Sequence, residues 1–440
     1  MNRLKKLLRG AGLVLLLVAF LAAWIVLPWP ALLALAVAFA LWMVLTRSGR
    51  QAASVTGVGV STLGQRLGAS SVVVIGIAGV VGVLVALLAM AEGYRHTVSS
   101  SGDEATAIVL RGGSSAELMS VMTRDAITTI ERAPEIARDA DGRPLASPEL
   151  VVAANLPRRD NAAEDGSVQL RGVGDMAWAV RPNVQLVEGR RFEPGKRELV
   201  VGKGARRQFA RLEPGAELRL GNQPWTVVGV FESGDGMESE IWADAEVVAT
   251  TYRRGSSRAS VFARLTSPSA FNAFKATLDA DPRLQVEAQT TLAYFQGQSA
   301  GVSKVLSIIG IVVGSIMAIG AVFGALNTMF ATVASRAREI ATLRAIGFRG
   351  IPVVVAVMLE TMLLAALGGV LGGLLAWLVF NGYTASTLAG GVAQLTFEFK
   401  VSPELLRQGL KWALAIGFVG GLFPALRAAT MPVTDALRAA

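Results

Sequence analysis

Cysteine and histidine, two residue types common in catalytic and metal sites, are almost missing from this chain. Cysteine is absent and His96 is the single histidine, which excludes disulfides and leaves too few imidazoles for a zinc or haem site. The nearest approach to a phosphate-binding loop runs from Gly189 to Lys196. It has one residue too many, and Arg197 stands where a hydroxyl is required. We therefore predict a non-catalytic chain that binds no cofactor and does not hydrolyse ATP by itself.

Acidic residues crowd the segment 95–303, but their spacing singles out no pair for acid–base catalysis. We interpret them as a solvated charged surface. A membrane-anchored enzyme with its active site in this segment stays an alternative that no constellation supports.

A short basic stretch, Ser335–Gly350, lies between two long apolar runs. Its apolar residues Ile340, Leu343 and Ile346 recur at roughly helical spacing and share one face. Gly347 follows the last of them, where a helix would end. The pattern predicts a short amphipathic helix at the membrane surface. A solvated basic loop that only sets topology is the alternative.

Charged residues in and beyond this stretch add two expectations. Arg336 and Glu339 stand three residues apart and can pair across a helical turn. Glu360 is the one ionisable residue well inside a predicted span, where such a group is costly and faces a protein interior. It is either a polar latch or a structural hydrogen bond between helices. The arginines of the stretch are Arg336, Arg338, Arg344 and Arg349.

The composition is that of a membrane protein. Of 440 residues, 52% are hydrophobic and only 17% are charged. The net charge of +9 is unevenly distributed, because the segment 95–304 is nearly neutral and the basic surplus flanks the apolar runs. Such a bias indicates cytoplasmic loops, so no nucleic-acid partner is needed to explain it.

Six apolar runs predict an α-helical membrane protein with six transmembrane helices, both termini in the cytoplasm and membrane lipids as surroundings. Prolines 28 and 30 allow a tight turn between the first two runs, and a cleaved signal peptide is the rival interpretation of the first. The runs cover about residues 11–27, 31–45, 70–90, 305–333, 351–380 and 412–425.

Between the third and fourth runs the chain predicts a soluble α+β extracytoplasmic domain. Residues 198–202 are typical of a strand, and residues 216–231 of a hairpin turning at Gly221-Asn222. Helices are expected at about 115–132 and 267–278. The predicted divisions are an N-terminal transmembrane hairpin (1–46), an amphipathic elbow with the third helix (47–94), the extracytoplasmic domain (95–303) and a three-helix core with the cytoplasmic tail (304–440).

Glycines at four-residue spacing predict surfaces for close helix packing. Their small side chains would also let helices shift past one another. They are Gly310, Gly314, Gly320, Gly324, Gly369 and Gly373.

The order of parts resembles the MacB/FtsX-type permeases of ABC transporters, a group that includes the lipoprotein-releasing Lol permeases. The resemblance covers about residues 60–440. The motifs that carry it are Asn327-Thr-Met329, the stretch 335–348, Glu360, the glycines of 368–373, and the closing patterns 421–429 and 432–438. The N-terminal hairpin, residues 11–45, departs from the four-span plan of that family.

The resemblance implies a permease dimer, of two copies or of homologous chains, in the inner (plasma) membrane, with the large domain periplasmic. A separate dimeric ABC ATPase would bind ATP and magnesium and dock on a coupling helix at 336–349. This docking would involve Phe348 besides the residues already named. Movement would pass to the periplasmic domain (mechanotransmission) for export or extraction of a substrate, with or without a periplasmic adaptor and an outer-membrane channel. An FtsX-like scaffold that regulates a cell-wall hydrolase is the alternative.

Overall fold

The computed structural model describes residues 23–24, 26–61, 64, 67–161, 163–389 and 393–432. The chain divides into two compact units. The membrane unit comprises residues 1–89, 306–381 and 400–440, and the soluble unit comprises residues 90–305 and 382–399.

The N-terminal helices are α1 (Trp29–Leu45), α2 (Arg47–Ser61) and α3 (Leu67–Ser99). Helices α1 and α2 meet at an angle of 98°. Thr46 stands between them, and its hydroxyl accepts the Gly49 N–H at 2.9 Å, which satisfies one free donor at the start of α2. The first predicted run, 11–27, lies almost wholly outside the described residues.

The soluble unit contains one ten-stranded sheet within its described residues, with strand order β10-β1-β9-β2-β3-β8-β5-β7-β4 and β6 paired with β7. The pairing is antiparallel except for β3–β8 and β5–β7. The strands are β1 (Thr106–Arg111), β2 (Ala146–Pro157), β3 (Asp165–Val173), β4 (Gln185–Gly189), β5 (Glu198–Gly202), β6 (Glu217–Leu220), β7 (Gln223–Glu232), β8 (Glu240–Asp244), β9 (Ser260–Arg264) and β10 (Val286–Thr290).

Helices of the soluble unit cover this sheet: α4 (Arg124–Glu131), α5 (Met176–Val180), α6 (Lys203–Gln208), α7 (Ala245–Thr251) and α8 (Phe271–Asp279). The expected strand at 198–202 and the hairpin at 216–231 are confirmed. Gly221 and Asn222 both have positive φ, the geometry of a tight two-residue hairpin turn. The expected helix at 115–132 is wrong in its first half. A single 3-10 turn occupies Glu117–Met119 there. The Met122 N–H then bonds to the Arg258 carbonyl, so α4 begins only after Thr123, which caps it.

The remaining elements are α9 (Thr291–Ser335), α10 (Ala337–Ala345), α11 (Gly350–Phe380), β11 (Thr384–Ala389), β12 (Ala393–Glu398) and α12 (Pro403–Thr430). Strands β11 and β12 form a hairpin between the fifth and sixth predicted spans, where no strand was predicted from the sequence. Helix α12 begins nine residues before the predicted span, because Ser402 caps it and Pro403 occupies its first position.

Four described helices are long and apolar enough to cross a membrane: Ser70–Ser99, α9, α11 and α12. The bent pair α1–α2 would be a fifth if it is one broken span. The described residues thus account for four or five of the six predicted spans.

Candidate functional site

Helix α10 is the short helix predicted in the basic stretch, and Gly347 terminates it. Gly347 has a φ of +105°, a region that favours glycine. The Phe348 N–H bonds to the Leu343 carbonyl at 3.1 Å and the Gly347 N–H to the Arg344 carbonyl at 3.2 Å. This pair of bonds is a Schellman motif, which closes the helix after Ala345. The helix is therefore shorter than the predicted 336–349.

The apolar face predicted for Ser335–Gly350 is not one exposed stripe. Ile340 is buried against Met329, Val333 and other apolar residues of α9, α11 and α12. Leu343 is half-buried and lines a small cavity of about 20 Å³. Ile346, just past the helix, is 68% exposed. The expectation that all three face a partner is wrong for Ile340, whose face is already occupied by this chain.

Arg336 joins α10 to α11. Its Nη1 donates to Glu360 Oε2 at 2.9 Å, and its Nε donates to Glu339 Oε2 at 3.1 Å. The side chains of Arg336 and Glu360 are 11% and 5% exposed, whereas that of Glu339 is 58% exposed. A Cβ on Gly59 of α2 would lie 3.3 Å from Glu360 Oε2, so this glycine leaves room for the pair. Residues distant in sequence thus meet at one buried ion pair, here called the Arg336–Glu360 bridge.

The remaining residues of the basic stretch differ in exposure. Arg338, Gly347 and Arg349 are exposed, and Phe348 is half-buried. Arg344 donates to the carbonyl of Met431, which ties α10 to the segment after α12.

The six singled-out glycines form three pairs with different surroundings. Gly310 and Gly314 of α9 lie against Leu87 and Leu84 of α3. Gly369 and Gly373 of α11 lie against α12, while the neighbouring glycines 368 and 372 lie against α3. Added Cβ atoms on residues 320 and 324 would meet no heavy atom within 4 Å among the described residues.

Sequence reasoning missed Lys411, a buried lysine inside α12. Its Nζ donates to the Leu27 carbonyl at 2.7 Å and lies 5.6 Å from the centre of the Trp29 ring. The predicted span began at Trp412, one residue too late to include it. The start signal at Ser402-Pro403 could have placed it inside the helix.

One pattern invites a catalytic interpretation. Residues 297–301 read Gly-Gln-Ser-Ala-Gly, the spacing of a serine nucleophile elbow. An elbow needs a sharp strand-to-helix turn, whereas this segment lies inside α9. The Ser299 hydroxyl donates to the Gln296 carbonyl at 3.0 Å. The surroundings do not match those of a nucleophile.

Comparison with known families covers most of the chain. The profile described as "MacB-like periplasmic core domain" matches residues 70–281, and the one described as "FtsX-like permease C-terminal" matches residues 305–433. The second match contains α10 and the Arg336–Glu360 bridge.

This chain belongs to the MacB/FtsX-type ABC transporter permeases. It is a membrane permease of that family with a soluble α+β domain of the periplasmic type. Among its relatives, the ABC transporter permease YknZ of Bacillus subtilis is 24% identical over 293 residues, which are 62% of this chain and 71% of that protein. The macrolide export ATP-binding/permease protein MacB 1 of Aeromonas hydrophila is 26% identical over 315 residues, which are 66% of this chain.

The match spans only 46% of the length of that MacB 1. Two solved structures resemble this permease over 42% of its chain. The extracellular domain of YknZ is covered completely, with 18% identity and a TM-score of 0.32. The periplasmic region of MacB from Actinobacillus actinomycetemcomitans is covered to 89%, with 15% identity and a TM-score of 0.33.

Proposed function

We propose that this permease is the non-catalytic membrane subunit of an ABC complex, and that α10 receives the movement of a separate ATPase subunit. That subunit would bind ATP and magnesium. The observation that carries the proposal is the bracing of α10: its inner side is packed through Ile340 and tied by the Arg336–Glu360 bridge, while Arg338 and Ile346 stay exposed.

A helix that is tightly packed against its neighbours passes a force applied to it on to those neighbours. Close-packed interiors have low compressibility, so a load on the exposed side of α10 would move α9 and α11 with it. The glycine contacts between α9 and α3, and between α11 and α12, give helix surfaces that can slide over short distances. Both α3 and α9 continue into the soluble unit, so their movement would reach the periplasmic domain.

The work done there is export or extraction of a substrate, by mechanotransmission. Family membership and the macrolide export named for the MacB relatives support it. The topology that fits is an inner-membrane protein with cytoplasmic termini and a periplasmic domain. A second permease copy, an adaptor and an outer-membrane channel would complete the complex. An FtsX-like regulatory scaffold is the second candidate: a stably bound cell-wall hydrolase favours it, whereas substrate-stimulated ATP hydrolysis favours export.

Membrane lipids would bind in an apolar cavity of the membrane unit. An apolar cavity of about 720 Å³ lies between α1, α2, α11 and α12, lined by Leu32, Phe39, Met362 and Phe418 among others. Its size is within the range of ligand pockets and its lining suits hydrocarbon chains.

The test uses Ile346, because Ile340 and Leu343 serve the fold of the chain itself. Ile346→Asp should weaken pull-down of the ATPase by roughly 30-fold, since loss of an interface anchor costs about 2 kcal/mol or more. Ile346→Val keeps an apolar side chain and should bind normally. Val187→Asp changes a similarly exposed residue of the soluble unit, 54% exposed, and should also bind normally. If Ile346→Asp retained its partner and full coupled ATPase activity, α10 would not be the docking site.

A further inference from the structure

Five charged side chains are buried together in the soluble unit. Arg171 donates from Nε to Glu240 at 2.6 Å and from Nη1 to Glu117 and Glu149, both at 2.8 Å. Arg181 Nη1 donates to the other carboxylate oxygen of Glu149, Oε1, at 2.6 Å. Each of the five residues is at most 8% exposed. We call this group the Arg171 cluster.

The Arg171 cluster carries one more negative than positive charge, because three carboxylates surround two guanidinium groups. Burial alone raises the pKa of Glu117, but the charge of Arg171 and hydrogen bonds from Arg171 and Ser260 outweigh burial and hold it below the usual value. Glu117 therefore stays ionised at neutral pH. An excess charge in a poorly solvated place is unfavourable, and a nearby cation would offset it.

A cavity of about 140 Å³ lies directly against the Arg171 cluster. Glu117, Arg171 and Glu240 line it, and Met119, which is 70% exposed, also lines it and marks the side facing solvent. Most of its other lining side chains are apolar or aromatic, and Ser101, Gln169 and Gln298 are the polar ones. The apolar and aromatic ones include Tyr94, Val98, Val151, Tyr294, Phe295 and Leu395. The volume is close to the roughly 150 Å³ that accommodates benzene. Aromatic rings beside two carboxylates form a lining that favours a cation with an apolar body.

We propose that this cavity binds an organic ammonium group attached to a compact apolar body. The ammonium would lie beside Glu117 and Glu240 and neutralise the excess charge of the Arg171 cluster. The apolar body would lie among the aromatic walls. The site uses residues from the end of α3, the start of α9, the hairpin strand β12 and the sheet. It is independent of the ATPase docking proposed for α10.

The test is ligand-observed fluorine NMR with the purified full-length chain in detergent. The probe is para-fluorobenzylammonium, and para-fluorobenzyl alcohol is its uncharged match. The amine should bind saturably, and the alcohol should bind at least about ten-fold more weakly, the factor typical of a hydrogen bond to a charged group. Competition by N-acetyl-lysine methylamide separates a peptide lysine side chain from a free amine as the source of the ammonium group.

Two variants test the two parts of the site. Glu240→Gln leaves two carboxylates and two guanidinium groups, so the preference for amine over alcohol should disappear. Ala116→Leu adds bulk to the lining without changing charge and should abolish binding of both probes. Ala276→Leu makes the same change at an exposed position of α8 and should bind like the unmodified chain. Thermal unfolding of each variant shows whether it is folded.

Three results would each overturn the proposal. The first is equal binding of the amine and the alcohol by the unmodified chain. The second is amine binding that survives in folded Ala116→Leu. The third is the absence of saturable binding of either ammonium compound.

Discussion

Removal of Glu360 should destabilise the membrane unit far more than removal of Glu339, although both carboxylates bind Arg336. Their distances to the guanidinium are nearly equal, 2.9 Å for Glu360 and 3.1 Å for Glu339, so distance does not distinguish them. Burial distinguishes the two carboxylates, because the side chain of Glu360 is 5% exposed and that of Glu339 is 58% exposed. The comparison therefore isolates the effect of the surroundings on one kind of interaction.

The magnitudes follow from the dielectric environment. At about 3 Å, two unit charges attract by about 6 kcal/mol at an effective dielectric constant of 20, but by only about 1 kcal/mol in water. Exposed pairs contribute roughly 0–1 kcal/mol, which is the expected cost of Glu339→Ala. Breaking a buried pair by removing one partner costs about 3–5 kcal/mol, which is the expected cost of Glu360→Ala.

The assay is equilibrium unfolding of the purified chain in a mild detergent, with sodium dodecyl sulfate as denaturant and tryptophan fluorescence as signal. In an Arg336→Met background the cost of Glu360→Ala should change by roughly 0.5–3 kcal/mol, the coupling expected of residues in contact. Equal costs for Glu339→Ala and Glu360→Ala would refute the reasoning. So would a cost of Glu360→Ala that does not depend on Arg336.

Three further predictions concern packing, pH and topology. Gly372→Ala should destabilise the chain by about 1–3 kcal/mol, because its Cβ would lie 2.4 Å from the Ala78 carbonyl oxygen. Gly320→Ala, with no described atom within 4 Å of the new Cβ, should be neutral or stabilise by about 0.5–1 kcal/mol in the same unfolding assay. Burial raises the pKa of Asp235 from 3.8 to about 6, so the folded state binds a proton that the unfolded state releases between about pH 4 and pH 6. Stability from this group is therefore present at low pH and falls as the pH rises through that window, by about 3 kcal/mol in total. Asp235→Asn should remove this part of the pH dependence in parallel unfolding curves, and an unchanged pH dependence would contradict it. A single cysteine at the exposed position Ser256, in a chain that has no native cysteine, should react with an impermeant reagent from the periplasmic side. Labelling from the cytoplasmic side alone would contradict the proposed topology.

The sequence predicts local structure correctly wherever neighbours in the chain decide it. The pair Gly221-Asn222 closes its hairpin because both residues adopt positive φ at little cost. Gly347 ends α10 for the same kind of reason. Arg336 and Glu339 pair because three residues along a helix bring side chains together.

Local propensity does not decide the structure where long-range backbone pairing outweighs it. Residues 115–132 carry the signals of a single helix, but Met122 instead pairs with Arg258, 136 residues away in the chain. The hairpin β11–β12 lies in a short segment between two long apolar helices. The composition of that segment resembles a loop, so the sequence did not predict its strands. A propensity is worth a fraction of a kcal/mol per residue, so long-range contacts override it.

The sequence by itself determined that this is a membrane protein with a soluble α+β domain, since apolar length and charge placement depend only on the order of residues. Periodicity predicted that Ile340 and Ile346 share one face of a helix. Only the tertiary structure decided that Ile340 packs inward while Ile346 stays exposed. It alone joined Arg336 to Glu360 and placed three distant glutamates around Arg171. The physical reason is that spacing defines which residues share a face, whereas burial and charge pairing depend on what that face meets.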